Sequence, residues 1–84
     1  MNDIPQDALE IIEECAAKYR VNVYDVISWS RARRLCRARG EAMRRIREIA
    51  VDGEPLYTLD DIGDMFGGRD HSTVHYAIAG GRKS

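Results

Sequence analysis

Ile62-Gly63-Asp64-Met65-Phe66-Gly67-Gly68-Arg69-Asp70-His71-Ser72-Thr73-Val74 decides the fold of this 84-residue chain. Two short helical patterns meet at Gly67-Gly68-Arg69. On the upstream side Leu59, Ile62 and Phe66 recur at spacings of three and four, which puts them on one helix face. Thr58 with Asp61 resembles a capping box opening that helix, with the shorter Asp in place of Glu or Gln. Gly67 closes it, because glycine tolerates the left-handed conformation after a helix. Downstream, Asp70 is a good N-cap residue. Val74 and Ile78 then face inward, and Gly80-Gly81 stops the second helix. Two short helices joined by a glycine turn, over 58–79, have the sequence form of a helix-turn-helix.

The rest of the chain also reads as helical. Pro5 suits a first helical turn, and Leu9, Ile12, Ala16 and Tyr19 share the face that follows. Val21-Asn22 breaks this pattern. A short helix is expected around Tyr24–Ser28, with Val23, Val26 and Ile27 apolar. Trp29 to about Leu35 lacks an apolar period and reads as a loop, the start of a basic stretch over 29–39. A third helix is expected from about Arg37 to Ala50, with Ala42, Met43, Ile46, Ile49 and Ala50 apolar. Asp52-Gly53-Glu54-Pro55 is a strong turn signal. The expected fold is therefore all-α: a compact bundle of about five helices containing a helix-turn-helix, one domain over residues 1–84. Internal repeats and low-complexity segments are absent from the sequence.

The length allows one domain, and such a chain buries roughly 60–65% of the surface it exposes unfolded. A two-lobed enzyme with a deep cleft does not fit. Hydrophobic residues at 44% and charged residues at 32% mark a folded chain, not a disordered one. No apolar stretch is long enough to cross a membrane, and the acidic, polar start does not resemble a signal peptide. Cys15 and Cys36 lack metal-ligand spacing and read as reduced thiols rather than a disulfide, in a cytoplasmic protein.

The net charge of −1 hides a strong partition. Residues 1–25 sum to −4, 31–47 to +7, 48–64 to −6 and 65–84 to +2. All eight basic residues of the +7 block are arginine: Arg31, Arg33, Arg34, Arg37, Arg39, Arg44, Arg45 and Arg47. Arginine is always charged, and its planar fork fits phosphates and guanine edges. Glu41 with Arg45 and Arg44 with Glu48 have the spacing of intrahelical ion pairs, so that end reads as solvated or paired. Arg31 to Arg39 hold five arginines with no acid among them. Such a run repels itself unless a polyanion is near. The acidic first helix reads as a solvated outer face, with a protein partner there as a second reading.

In a helix-turn-helix the first residues of the second helix reach base edges in the major groove. Here these are Asp70, His71, Ser72 and Thr73, short polar groups unsuited to a core. Other readings of these residues are weaker. His71 and His75 could share a helix face as zinc ligands do, but no third ligand is evident. Asp70, His71 and Ser72 are the residue types of a hydrolase triad, yet adjacent helical residues diverge and cannot form its hydrogen-bonded chain. Trp29 and Tyr24 could stack on bases, but duplex DNA hides its bases, so core or loop packing is the expected role.

The stretch from Ile62 to Val74 resembles the signature of the C-terminal DNA-binding domain of the bacterial replication initiator DnaA. Ser28, Arg31, Arg33, Arg37 and Arg39 match the spacing of that family's basic loop and following helix, and Tyr19 to Ile27 resembles the helix pair before it. The resemblance covers about residues 8–79. It implies Arg31 in the minor groove and Asp70, His71, Ser72 and Thr73 as major-groove readers of a box resembling TTATCCACA. It further implies that Arg69 and Ala77 lie against the same major groove and that Arg33, Arg37 and Arg39 contact phosphates. Asp70 can accept from a base amino group and the Thr73 methyl can pack on thymine. Gly40 stands where the family usually has glutamine, and His75 and Tyr76 replace an apolar residue and a histidine. The Gly-x-x-x-x-Gly-Lys-Ser/Thr loop of an ATPase does not occur in the sequence.

The expected function is sequence-specific binding of double-stranded DNA at sites related to that box, by a free-standing regulator of transcription or modulator of replication. The alternative is a protein-interaction adaptor that keeps the fold without the DNA role. No enzyme activity, cofactor, nucleotide, metal or membrane partner is expected.

Overall fold

The computed structural model describes residues 4–80, and the fold grows from one long central helix. Five helices occur in the order α1 (Gln6–Tyr19), α2 (Val23–Ile27), α3 (Arg33–Arg47), α4 (Leu59–Met65) and α5 (His71–Gly80). Two two-residue strands, β1 (Ala50–Val51) and β2 (Glu54–Pro55), lie between α3 and α4. Among the described residues α3 packs against every other helix. Its buried stripe is Leu35, Ala38, Arg39, Ala42, Met43 and Ile46.

α3 begins at Arg33, four residues before its expected start, so most of the basic stretch is helical and the loop shrinks to residues 28–32. The first-turn arginines mask the period in sequence, because burial starts only at Leu35. The helix also stops at Arg47, earlier than expected, and Ala50 is exposed on β1. Asp52-Gly53 makes a two-residue hairpin turn, both at positive φ (55° and 83°), with Ala50 paired to Pro55 and Val51 to Glu54. Asp-Gly is a favoured sequence for such a turn.

α1 lays Ala8, Ile12, Cys15 and Ala16 against α3. Pro5 stands at its N-cap, and its carbonyl accepts from Leu9 N–H at 2.9 Å. Arg20 closes it in a left-handed conformation (φ 57°), and Val21 N–H returns to Ala16 O at 2.9 Å. The side chain of Asn22 caps α2, accepting from Tyr24 N–H at 2.7 Å. The intrahelical pairs expected of Glu41 and Arg45 do not form. Both reach across to α1 instead: Glu41 accepts from Lys18 Nζ at 3.0 Å and the Tyr19 hydroxyl at 2.9 Å, and Arg45 binds Glu14 at 2.6 Å. These contacts hold Glu41 below the usual carboxylate range, chiefly through the Lys18 hydrogen bond.

The core is one cluster in which Phe66, Ile12, Met43, Ile46 and Ile62 are the largest fully buried side chains. Both cysteines are free thiols, Cys15 buried and Cys36 exposed. Burial pushes the Cys15 thiol up. No described helix is long and apolar enough to cross a membrane.

Candidate nucleic-acid interface

The turn between α4 and α5 is built on Gly63. Its carbonyl accepts from the N–H groups of Phe66, Gly68 and Arg69 at 2.9–3.1 Å. A Cβ at Gly63 would sit 1.9 Å from Arg69 O, so the chain after α4 folds back through the space a side chain would fill. Gly67 and Gly68 take positive φ (88° and 83°), the conformation that favours glycine. The capping box forms as expected: Thr58 Oγ1 accepts from Asp61 N–H at 3.1 Å, and Asp61 Oδ2 accepts from Thr58 N–H at 3.0 Å.

This geometry presents the first turn of α5 to solvent. Asp70, His71, Ser72 and Thr73 are all exposed. Asp70 Oδ1 accepts from Thr73 N–H at 2.9 Å and caps the helix. That hydrogen bond holds the Asp70 carboxyl below its ordinary range. His71 Nδ1 lies 3.6 Å from Asp60 Oδ1, with both side chains mostly exposed. Because Asp70 caps α5 and His71 faces Asp60, no Asp-His-Ser relay forms. Among the described residues no three His, Cys, Asp or Glu side chains group as a metal site.

Beside α5 lies a groove of about 710 Å³, walled by α3 and α5. Arg33, Cys36, Arg37, Gly40 and Arg44 line one side, and Arg69, Thr73, Tyr76 and Ala77 the other. The groove is also lined by Arg39 and Glu41, and of the α5 first turn it takes in Thr73, with Asp70, His71 and Ser72 outside its lining. Arg31, exposed in the 28–32 loop, stands beside it in sequence. Serine hydroxyls shape that loop: Ser28 Oγ donates to Asp25 O at 2.6 Å and accepts from Ser30 N–H at 3.2 Å.

Two arginines of the expected site are held by the protein itself. Arg39 is only 6% exposed. Its Nε donates to Val26 O at 2.7 Å and its Nη2 to Asp25 O at 3.3 Å. The guanidinium thus closes the carbonyl end of α2 onto α3, while Arg39 still borders the groove. Sequence spacing alone could not separate it from Arg37, which is exposed two residues, about half a turn, away. Arg69 is half-buried, donating from Nη2 to Ser28 O at 2.8 Å and from Nε to Phe66 O at 3.2 Å. Its guanidinium carbon lies 4.2 Å from the Trp29 ring centroid. Arg69 is therefore a strut between loop and turn, and it also lines the groove. Trp29 packs, as its sequence context predicts, but on the surface, over Gly67 and under Arg69. Tyr24 was expected to pack too but is exposed.

The profile of one protein family, the bacterial dnaA protein helix-turn-helix, matches residues 9–80. The chain belongs to this DnaA helix-turn-helix family. It is a helix-turn-helix module rather than a catalytic domain. Over 68 residues the chain is 40% identical to the chromosomal replication initiator protein DnaA of Neisseria meningitidis serogroup C, covering 81% of this chain and 12% of that protein. The DnaA of Neisseria gonorrhoeae matches to the same extent. The DnaA of Francisella tularensis subsp. novicida is 42% identical over 60 residues, covering 71% of this chain and 11% of that protein. The chain thus spans about 12% of the length of the curated relatives it matches first. No solved structure matches it.

Proposed function

We propose that this chain binds double-stranded DNA sequence-specifically, at sites related to the DnaA box, and regulates transcription or replication by occupying them. The observation that carries this reading is a groove where α3 arginines face Thr73 and Ala77 of α5, with the exposed first-turn residues Asp70, His71 and Ser72 next to it in sequence. A helix N-terminus with short polar side chains fits the major groove, where donor and acceptor patterns distinguish all four base pairs. Asp70, His71, Ser72 and Thr73 read base edges, with Ala77 one turn further on against the same groove. Arg31 enters the neighbouring minor groove, whose narrow A·T tracts attract arginine. Arg33 and Arg37 neutralise phosphates.

The overall charge of −1 does not oppose this. Screening confines electrostatics to about 8–10 Å, so a phosphate backbone responds to the +7 segment and not to the sum. The test is a mobility shift of the full chain with a duplex containing TTATCCACA and with a scrambled duplex. Binding should favour the box and weaken with salt, with a log–log slope of about −2 to −3 for Arg33 and Arg37 on phosphates and Arg31 beside them. Equal affinity for both duplexes removes sequence specificity, and no binding to either at low salt leaves the adaptor role.

A further inference from the structure

The loop that carries Arg31 and the turn that launches α5 are far apart in sequence but joined through one pair of side chains. Among the described residues, two hydrogen bonds tie residues 28–32 to a distant part of the chain. Trp29 Nε1 donates to Gly67 O at 3.2 Å, and Arg69 Nη2 donates to Ser28 O at 2.8 Å. The Arg69 guanidinium stacks on the Trp29 ring at 4.2 Å, and its Nε donates to Phe66 O. Trp29 is two residues from Arg31, and Arg69 immediately precedes Asp70. Trp29 is 60% exposed, so this contact contributes little to the core. A Cβ at Gly67 would meet Trp29 Nε1 at 2.8 Å, so the turn leaves room for the indole.

Building on the proposed DNA-binding role, we infer that Trp29 and Arg69 form a clamp that fixes the register between Arg31 and the first turn of α5. They are positioning residues for DNA reading rather than contacts with bases. A minor-groove arginine and a major-groove helix must dock at one spacing on the same duplex. If the loop is already ordered at that spacing, the second contact forms without a further ordering cost. Phosphate contacts made without base reading do not need that register. The clamp therefore raises affinity for the box and leaves affinity for scrambled duplex nearly unchanged.

The experiment is a binding cycle on the full chain with Trp29→Ala, Arg31→Ala and the double variant. Each is titrated with labelled TTATCCACA and scrambled duplexes. Trp29→Ala should weaken box binding about fivefold or more and change scrambled binding less than about twofold. Arg31→Ala should cost about tenfold in the parent chain but only about twofold in the Trp29→Ala background. Trp29→Phe, which keeps a ring face under the guanidinium, should recover part of the loss. Costs that multiply independently overturn the clamp, because Trp29 would then act apart from Arg31. A parent chain with no preference for the box overturns the DNA-reading role before any variant is compared. Circular dichroism checks folding, and Arg69→Lys takes the place of Trp29→Ala in the cycle should that variant not fold.

Discussion

The Arg69 guanidinium carbon sits 4.2 Å from the centre of the Trp29 ring, joining residues 40 positions apart across the surface of the protein. The contact is electrostatic as well as dispersive, since a cation above an indole face meets the negative side of its quadrupole. The same guanidinium donates to Ser28 O and Phe66 O. Arg69→Ala removes all three interactions. It should lower stability by about 1–2 kcal/mol, a fall in Tm of about 4–12 °C for a chain of this size. Thermal melts followed by circular dichroism measure it, and an unchanged Tm would show that these contacts do not hold the turn.

Two helical glycines should respond to alanine with opposite signs. At Gly63 a Cβ meets Arg69 O at 1.9 Å, and neither backbone segment can move without breaking the turn. Gly63→Ala should destabilise by at least about 2 kcal/mol. At Gly40 the nearest atom to a Cβ is Ala77 O at 3.4 Å, an ordinary contact. Gly40→Ala should stabilise by up to about 1 kcal/mol through helix propensity. Chemical denaturation of both variants checks the pair.

Arg37 and Arg39 should separate stability from binding. Arg39→Ala leaves the Val26 and Asp25 carbonyls without these donors and empties a buried site, costing about 2–4 kcal/mol. Arg37 is exposed, and Arg37→Ala should leave Tm within about 2 °C. It should instead lower the magnitude of the salt slope of DNA binding by about 1. The reverse pattern would place the phosphate contact on Arg39.

Acid should destabilise the fold through Glu41 and Asp70. The Lys18 hydrogen bond holds the Glu41 carboxyl below its ordinary 4.5, and the Thr73 N–H does the same for Asp70 relative to 3.8. A carboxyl depressed in the folded state binds fewer protons there than in the unfolded chain. Its contribution is complete above the unfolded value and is lost as pH falls through the folded one. Tm should therefore be level with respect to these two groups above about pH 5.5 and drop below about 4.5. Glu41→Gln should lower the neutral-pH plateau and shrink the acid drop. An unchanged acid profile in that variant would remove Glu41 from this role.

Local signals in the sequence located the helix-turn-helix closely. Thr58, Asp61, Gly67 and Asp70 act through neighbours within four residues, so their roles depend little on the rest of the fold. The start of α3 was harder to read, because six of the residues from Arg31 to Arg39 are arginine or cysteine and the buried stripe begins only at Leu35. The hairpin was legible as a turn at Asp52-Gly53 but not as strands, since two exposed residues on each side carry no period.

The helical content, the polar start of α5 and the clustering of arginines follow from residue type and short spacings along the chain. Which arginines are exposed and which are buried depends on how the helices pack. Arg37 and Arg39 have the same chemistry two positions apart, yet the helical rotation between them turns one to solvent and the other beneath α2. Arg69 and Trp29 are brought together by the packing of α4 and α5 on α3. No spacing rule links positions 40 apart, because the distance between them is set by the core and not by the chain.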